Sequence, residues 1–271
     1  MKKILGLIPI LFSACLLIGC SQSVSDRNAL KNVQESHALT WGIESDVRLF
    51  SLTDTQDNQE KGFEVDMAKA ITKEILGSKG KAKFILVTAQ SRIPLLKNGN
   101  VDAVIATMTI TPERKKIINF SKSYFAAGQS LLVRKNSRIK NIHDLVGKTV
   151  IGIVGDNSVD VIKKVAPKAK VVQMQDYGQA VIALKAGQGD ALSSDNGVLY
   201  GLAVENPRLT VRGGTFTKEP YGIAINKHQP ELENAINTAI SKLQHSGKYN
   251  RLIKKWFSKV PGFNYKVMYR N

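Results

Sequence analysis

Two predicted strand ends carry polar residues that could bind a small molecule. Residues 193–195 (SSD) end one predicted strand, and binding groups of α/β proteins collect at the carboxyl ends of strands. Residues 154–158 (VGDNS) follow another predicted strand and open a helix, so their backbone N–H groups could form an anion site. Asp156 and Asp195 also have a simpler explanation as helix N-caps.

Metal-ligating and redox-active residues are scarce in this chain. The four histidines are scattered, without the spacing of a zinc site. The two cysteines, Cys15 and Cys20, both lie near the N-terminus. We therefore predict no metal site and no cofactor.

Length and charge narrow the class of protein further. The chain has 271 residues, a net charge of +17 and 43% hydrophobic residues. A chain of this length buries a core that needs no disulfide or metal, and its hydrophobic content excludes bulk disorder. The basic residues are spread along the chain without a nucleic-acid motif, so we predict no nucleic-acid partner. A basic surface instead fits a location near anionic lipid or wall polymer.

The N-terminus has the pattern of an export signal. Two lysines follow Met1, and an apolar run over 4–18 leads to Gly19 and Cys20. This pattern is typical of a signal peptide, and the run is too short for a membrane span. Residues 17–20 (LIGC) resemble a bacterial lipobox, which implies a signal peptide over 1–19, cleavage before Cys20 and a lipid on its sulfur. An ordinary signal peptide with a chance cysteine is the alternative.

The two ends of the remaining chain differ from the body between them, and the C-terminal one has no helical period. Residues 20–36 are polar and are predicted to form a flexible tether. Residues 259–271 are interpreted either as a packed strand or as a loose tail.

Short apolar runs alternate with amphipathic stretches from residue 38 onward. Strands are predicted at 38–43, 84–88, 101–107, 130–134, 149–154, 170–172, 191–193 and 221–225. Helices are predicted at 62–76, 92–97, 158–166, 177–186, 195–204, 231–245 and 248–257, with a further one starting at Pro112 behind Thr111 as N-cap. Such alternation favours an α/β fold with parallel sheets covered by helices.

Four segments occur in a distinctive order and spacing. They are GFEVD at 62–66, RIPLLKNG at 92–99, VDA at 101–103 and TMTITPER at 107–114, the last followed by NFS at 119–121. Over about residues 38–258 the chain resembles the solute-binding proteins of polar amino-acid ABC importers, extracellular solute-binding family 3. Within that family it is most similar to the glutamine/glutamate/aspartate-binding branch.

The resemblance implies a type II periplasmic-binding-protein-like fold. Two α/β lobes with parallel sheets are joined by two hinge strands, and the ligand lies in the cleft between the lobes. Lobe one is expected at 37–126 plus 220–258, and lobe two at 127–219. The crossings are expected near 124–128 and 217–221.

The resemblance also implies how a free amino acid is held. Arg114 offers a planar fork of donors to the ligand carboxylate, and Thr109 supports Arg114 in this role. Thr107, in the same segment, is a further expected ligand-binding residue. Asp195 pairs with the ligand ammonium, and Ser158 contributes from the second lobe. Each ligand charge needs such a partner because it is buried in the cleft.

Two positions depart from the pattern of the family. Arg92 resembles the residue that contacts the distal carboxylate or amide of the bound side chain. Glu44 lies where near relatives often carry Lys, and where binders of basic amino acids carry an acid. Arg92 and Glu44 either pair with each other, leaving a neutral subsite that suits glutamine, or Glu44 attracts a cationic ligand. The second departure is at Ile153, Asp156 and Asn157, where the family usually has a small Gly/Ser/Thr loop, sometimes preceded by a Lys.

The function implied by the resemblance is binding rather than catalysis. A monomeric, lipid-anchored protein on the outer face of the cell membrane of a monoderm bacterium would capture glutamine, glutamate or aspartate for an ABC permease. A cationic amino-acid binder is one alternative. A cyclohexadienyl-dehydratase-like enzyme is another, with Glu44 as the candidate proton-transfer acid, and a surface sensor or adhesin is a third.

Overall fold

The computed structural model describes residues 28–270. The predicted signal peptide, the lipidation site Cys20 and the first part of the predicted tether lie outside the described residues. Within 28–270 the chain forms two five-stranded sheets, one three-stranded sheet and one two-stranded sheet. Helices pack against both large sheets, so the predicted α/β class is confirmed.

The strands and helices of the described range alternate along most of the chain. The strands are β1 Ala38–Ile43, β2 Asp46–Val47, β3 Ser51–Thr53, β4 Glu60–Lys61, β5 Lys81–Leu86, β6 Ala103–Val104, β7 Asn119–Phe120, β8 Phe125–Ala127, β9 Gln129–Arg134, β10 Thr149–Ile153, β11 Lys170–Met174, β12 Ala191–Asp195, β13 Leu209–Arg212, β14 Glu219–Tyr221 and β15 Ala224–Ile225. The α-helices are α1 Ala29–Ser36, α2 Phe63–Leu76, α3 Arg92–Lys97, α4 Pro112–Ile117, α5 Ser158–Val165, α6 Tyr177–Lys185, α7 Asn196–Glu205, α8 Pro230–His245 and α9 Lys248–Phe257.

The first large sheet has the strand order β5-β1-β6-β15-β7. Strand β1 runs parallel to β5 and β6, whereas β15 is antiparallel to β6 and β7. The carboxyl ends of β1 and β6 therefore meet at one edge, and Glu44 and Thr107 follow these ends. We call the elements around this sheet the first lobe.

The second large sheet has the order β11-β10-β12-β9-β13 and forms the second lobe. Strand β10 is parallel to β11 and β12, and β9 is antiparallel to β12 and β13. Because β10 and β12 are parallel, the turn at 154–158 and the end of β12 at Asp195 share an edge of this sheet.

Strands β8 and β14 form the connection between the lobes. They pair antiparallel, with Phe125 opposite Tyr221, where the chain passes from the first sheet to the second and back again. The two rings stack at a centroid distance of 5.5 Å, and Phe50 and Phe257 pack edge-on or tilted against Phe125. This buried aromatic cluster gives the two hinge strands a rigid base.

Helix α1 corrects the prediction of a flexible tether for residues 29–36, the helical part of the predicted segment 20–36. The Asn28 side chain caps the helix, and the Ala29 N–H donates to Gln229 Oε1 at 2.7 Å. Val33 is buried as α1 packs on α8 and β1. Val33, Ala29 and Leu30 pack against the core, and these few apolar residues do not stand out in a polar sequence.

The C-terminal segment is packed against the body. It forms a short 3-10 helix at Tyr265–Met268 instead of a strand. Phe263 is buried, and its ring lies 5.5 Å from that of Phe257 and 5.3 Å from that of Tyr200 in the second lobe. Of the two interpretations of 259–271, the packed one holds for the described residues, with a helical turn in place of the strand.

Two predicted strands are shorter or divided in the structure. The run at 221–225 is divided between β14 and β15 because the chain leaves the hinge pair after Tyr221 and joins the first sheet at Ala224. The run at 101–107 pairs only at Ala103–Val104, since the chain then turns at Thr107, where φ is +44°.

Candidate functional site

The predicted site residues lie near one another where the two lobes meet. The first lobe supplies Glu44, Arg92, Thr107, Thr109 and Arg114, and the second lobe supplies Ser158 and Asp195. Arg114 lies within electrostatic range of Asp195 and of Asp156, across the cleft. Ser158 is next to Asp156, whose carboxylate accepts weakly from its N–H at 3.4 Å.

Helix α4 positions Arg114. The Thr111 hydroxyl accepts from the Arg114 N–H at 3.2 Å, so Thr111 is the N-cap and Pro112 the first helical residue, as predicted. Arg114 Nη1 donates to the Thr109 carbonyl at 2.9 Å, and Nη2 reaches the Gly155 carbonyl at 3.4 Å. Burial is the main cause that lowers the pKa of Arg114 to about 10, and the nearby positive charge of Arg92 lowers it further. The guanidinium of Arg114 therefore stays charged at neutral pH.

Asp195 is a buried acid held by two donors. Tyr221 OH donates to its Oδ2 at 2.8 Å and Gln129 Nε2 to its Oδ1 at 3.0 Å. The side chain makes no capping bond to α7, so a simple N-cap role does not account for it. Burial is the main cause that raises the pKa of Asp195 well above its usual range, and the negative charge of Asp156 raises it further. A cation placed beside Asp195 would favour its ionised form.

Two buried hydroxyl oxygens of the described cleft lack a hydrogen-bond partner. They are Thr109 Oγ1 in the first lobe and Ser158 Oγ in the second. Buried polar atoms are nearly always hydrogen-bonded. These two hydroxyls on opposite lobes are therefore suited to bind a ligand between them.

A compact charge cluster lies in the first lobe. Glu44 Oε1 lies 3.5 Å from Arg92 Nη1, and both side chains are at most 5% exposed. Thr107 Oγ1 donates to Glu44 Oε2 at 3.0 Å. Burial raises the pKa of Glu44 to about 8, although Arg92 opposes the shift. The sequence leaves open whether Arg92 and Glu44 pair with each other, and in the structure they do.

Asp156 does not act as the N-cap of α5. That helix begins at Ser158 with Asn157 at the cap position and no capping side-chain bond. Asp156 Oδ2 instead accepts from Tyr177 OH at 3.2 Å, and Asn157 Nδ2 donates to Glu219 Oε2 at 2.8 Å. The second lobe therefore lines its side of the cleft with two carboxylates.

Sequence reasoning missed several polar partners in the site. Glu64, Gln129, Tyr177, Glu219 and Tyr221 all hydrogen-bond to predicted site residues or to their neighbours. Among these five residues, a sequence signal exists only for Glu64, which belongs to the GFEVD segment. The other four residues lie in strands or helices, and nothing in the local sequence marks them as partners of the site.

The two lobes touch each other at the turn after β10. Gly155 has φ +82°, and a Cβ built there would lie 2.7 Å from the Gln90 backbone nitrogen and 2.8 Å from the Ala89 carbonyl. Tyr177 N–H donates to Asp46 Oδ2 at 3.0 Å, also between the lobes. Beside these contacts, Arg114 lines a groove of about 950 Å³ between α4 and α5.

Residues 28–270 contain no cluster of three or more His, Cys, Asp or Glu side chains arranged to hold a metal ion. In the same range no helix is both long and apolar enough to cross a bilayer.

Two sheet-based lobes, a paired hinge and opposed charges in the cleft define a two-lobed ligand-binding protein. The model of the bacterial extracellular solute-binding proteins, family 3, matches residues 39–259. The chain belongs to that family, and membership implies an extracytoplasmic location.

Relatives of known name agree with this assignment. The chain is 44% identical to the ABC transporter glutamine-binding protein GlnH of Bacillus subtilis (strain 168), over 96% of this chain and 99% of the relative. It is 45% identical to the glutamine-binding protein of Geobacillus stearothermophilus, over 76% of this chain and 79% of that protein. A solved ancestral arginine-binding protein bound to glutamine matches with a TM-score of 0.77 and 38% identity, covering 82% of this chain and 99% of that structure.

Proposed function

We propose that this protein captures a polar amino acid, with glutamine as the preferred ligand, and delivers it to an ABC importer. The opposed charges of Arg114 and Asp195, with the unpartnered hydroxyls of Thr109 and Ser158 between them, carry this proposal. The named relatives in glutamine transport support it. It needs neither a cofactor nor a catalytic step.

The head group of an amino acid fits these residues. Arg114 presents a guanidinium to the α-carboxylate from the first lobe, and its Nη1 bond to Thr109 orients the group. Asp195 pairs with the α-ammonium from the second lobe, since its tyrosine and amide donors hold the carboxylate in place. Because each lobe supplies one charge, the ligand favours closure of the cleft.

The subsite for the ligand side chain favours an amide over an acid. Arg92 is already paired with Glu44, so its guanidinium has a partner before any ligand arrives. A ligand carboxylate placed there would face Glu44 and, in the same cluster, Glu64. Burial already raises the pKa values of these two acids to about 8 and about 7, so the site disfavours a further negative charge. A carboxamide carries no charge and offers both donors and an acceptor.

A ligand screen tests this proposal directly. The twenty amino acids are added to the purified protein, and thermal shift and calorimetry report binding. We expect glutamine to give the largest shift, because a ligand at a hundred times its Kd adds about 2.7 kcal/mol of stability. Glutamate and aspartate should bind at least about tenfold more weakly. A shift with glutamate equal to that with glutamine would contradict the amide preference.

A cationic amino acid is the second candidate ligand. The excess of carboxylates in the cleft favours it, since Glu44, Asp156 and Glu219 all lie near the ligand charges. A larger shift with arginine or lysine than with glutamine would select this candidate. A proton-transfer enzyme is disfavoured because Glu44 is already bound to Arg92 and Thr107.

The Glu44→Gln substitution should change the preference between ligands. The amide can still accept from Thr107, but Arg92 is then free to pair with a ligand carboxylate. We expect glutamate to gain at least about tenfold in affinity relative to glutamine, measured by calorimetry. Glu35→Gln, at an exposed site on α1, is the control for the loss of one negative charge. An unchanged ratio in the Glu44 variant would contradict the pairing argument.

The pH dependence of stability gives a second measurement on the same variant. The pKa of Glu44 rises from 4.5 to about 8 on folding, so the folded protein binds this proton more tightly than the unfolded chain. Its stabilising contribution is complete below pH 4.5 and is lost as the pH rises through about 8. Between pH 5 and 8 the melting temperature of Glu44→Gln should therefore fall less than that of the wild type.

The anchor and the partner complete the proposal. A lipid on Cys20 would hold a monomeric receptor at the outer face of the cell membrane, and residues 37–126 plus 220–258 and 127–219 would be its two lobes. The ABC permease would then recognise the closed form. Replacing Cys20 with serine should release the protein from the membrane fraction, and retention of that variant would contradict the anchor.

A further inference from the structure

Glu64 is a buried acid for which neither ligand contact nor capping accounts. It lies in the first turn of α2 and is completely buried. Its Oε1 accepts the Thr107 N–H at 2.7 Å and also the Tyr124 hydroxyl, and its Oε2 has no partner among the described residues. Burial raises its pKa to about 7, against these hydrogen bonds. A buried carboxyl with only one of its two oxygens hydrogen-bonded stabilises a core poorly. The presence of Glu64 at this position therefore needs another explanation.

Thr107 has a backbone conformation that needs external support. Its φ of +44° lies in the left-handed region, which a β-branched residue rarely adopts. The turn redirects the chain after β6 and so places Thr109 beside Arg114. The Thr107 N–H is buried there, and Glu64 is its acceptor.

We propose that Glu64 is a positioning residue of the cleft, which holds the left-handed turn at Thr107 and thereby presents Thr107 and Thr109 to the ligand. The inference rests on the proposed function in assigning these two threonines to the ligand. The Tyr124 bond adds a link to the hinge, because Tyr124 directly precedes β8. Glu64 thus joins the core helix α2, the cleft turn and the start of the hinge.

Two substitutions of Glu64 separate positioning from simple core packing. Glu64→Gln keeps an oxygen that can accept from Thr107, so glutamine affinity should stay within about threefold of the wild type. Glu64→Leu has a similar size and removes the desolvated acid, so it should fold, but the Thr107 N–H loses its acceptor. We expect its glutamine affinity to fall by at least about tenfold. Tyr124→Phe is the matched control, since it removes the other bond to the same oxygen.

Hydrogen exchange provides a readout that does not depend on the ligand. In the ligand-free protein the Thr107 amide should be protected in the wild type, in Glu64→Gln and in Tyr124→Phe, and should exchange faster in Glu64→Leu. Equal protection in all four proteins would overturn the role of Glu64, as would a Glu64→Leu variant that binds normally. If the wild type binds neither glutamine nor arginine, the proposed function is wrong, while the exchange result still decides the positioning role.

Discussion

Replacing Arg114 with alanine is expected to remove at least about two thirds of the stabilisation of this protein by amino acids. In the proposed function Arg114 faces the ligand carboxylate, and its guanidinium is already oriented by bonds to the carbonyls of Thr109 and Gly155. Truncating one partner of a buried charge pair costs about 2–5 kcal/mol, so Kd should rise at least about 30-fold. A glutamine concentration that adds about 2.7 kcal/mol to the wild type would then add only about 0.9 kcal/mol.

Two further variants make this result specific. Arg138→Ala removes the same charge from an exposed position and should leave binding unchanged. Arg114→Lys keeps the charge but loses the planar fork, so it should give an intermediate affinity. Wild-type binding by Arg114→Ala would show that the carboxylate is held elsewhere in the cleft.

Gly155→Ala is expected to produce the second large loss of binding, through closure of the lobes. The added methyl group would lie 2.7 Å from the Gln90 nitrogen and 2.8 Å from the Ala89 carbonyl. Both contacts are backbone atoms of the opposite lobe, which cannot rotate away as a side chain can. The lobes would have to stay further apart, so we expect glutamine affinity to fall at least about tenfold. Small-angle scattering should show that saturating glutamine compacts this variant less than the wild type.

Backbone strain is the alternative cause, and Gly187→Ala controls for it. Gly187 has φ +80°, close to the +82° of Gly155, but a Cβ there would meet nothing within 4 Å. Both substitutions carry the same penalty of an alanine at positive φ, and both lie in the second lobe. Equal binding losses in the two variants, or a Gly155 variant that compacts normally, would contradict the closure argument.

Local elements of this fold follow closely from the sequence. Helix α3 at Arg92–Lys97 and helix α9 at Lys248–Phe257 have the predicted bounds, and Thr111 caps α4 as expected. Such features depend on side-chain period, proline position and capping within a few residues. Strands of two or three residues carry too little pattern, so β2, β3 and β4 were not foreseen.

Elements held by distant partners were predicted poorly. Helix α1 was taken for a tether, although Ala29 bonds to a residue 200 positions away. The C-terminal segment was left open, although Phe263 packs between aromatic rings of both lobes. Polar or irregular sequences become ordered when the body offers a docking surface, and no local pattern records that surface.

The candidate site likewise has features that the sequence predicts and features that depend on distant partners. The sequence identified Arg114 and Asp195 as charged groups at element ends, since residue type and position are local properties. Their surroundings depend on contacts between distant segments, such as the bond from Tyr221 to Asp195, 26 positions apart, or from Thr107 to Glu64, 43 positions apart.

The α/β class, the order of most elements and the family follow from the sequence alone, because periodicity and motif spacing are local properties. The sequence left two arrangements open for Glu44 and Arg92, because both are compatible with the same residues. Their pairing is a property of the folded chain, in which the two side chains lie 3.5 Å apart in a buried site. The electrostatic energy of such a pair depends on separation and desolvation, which arise only when β1 and α3 are packed together.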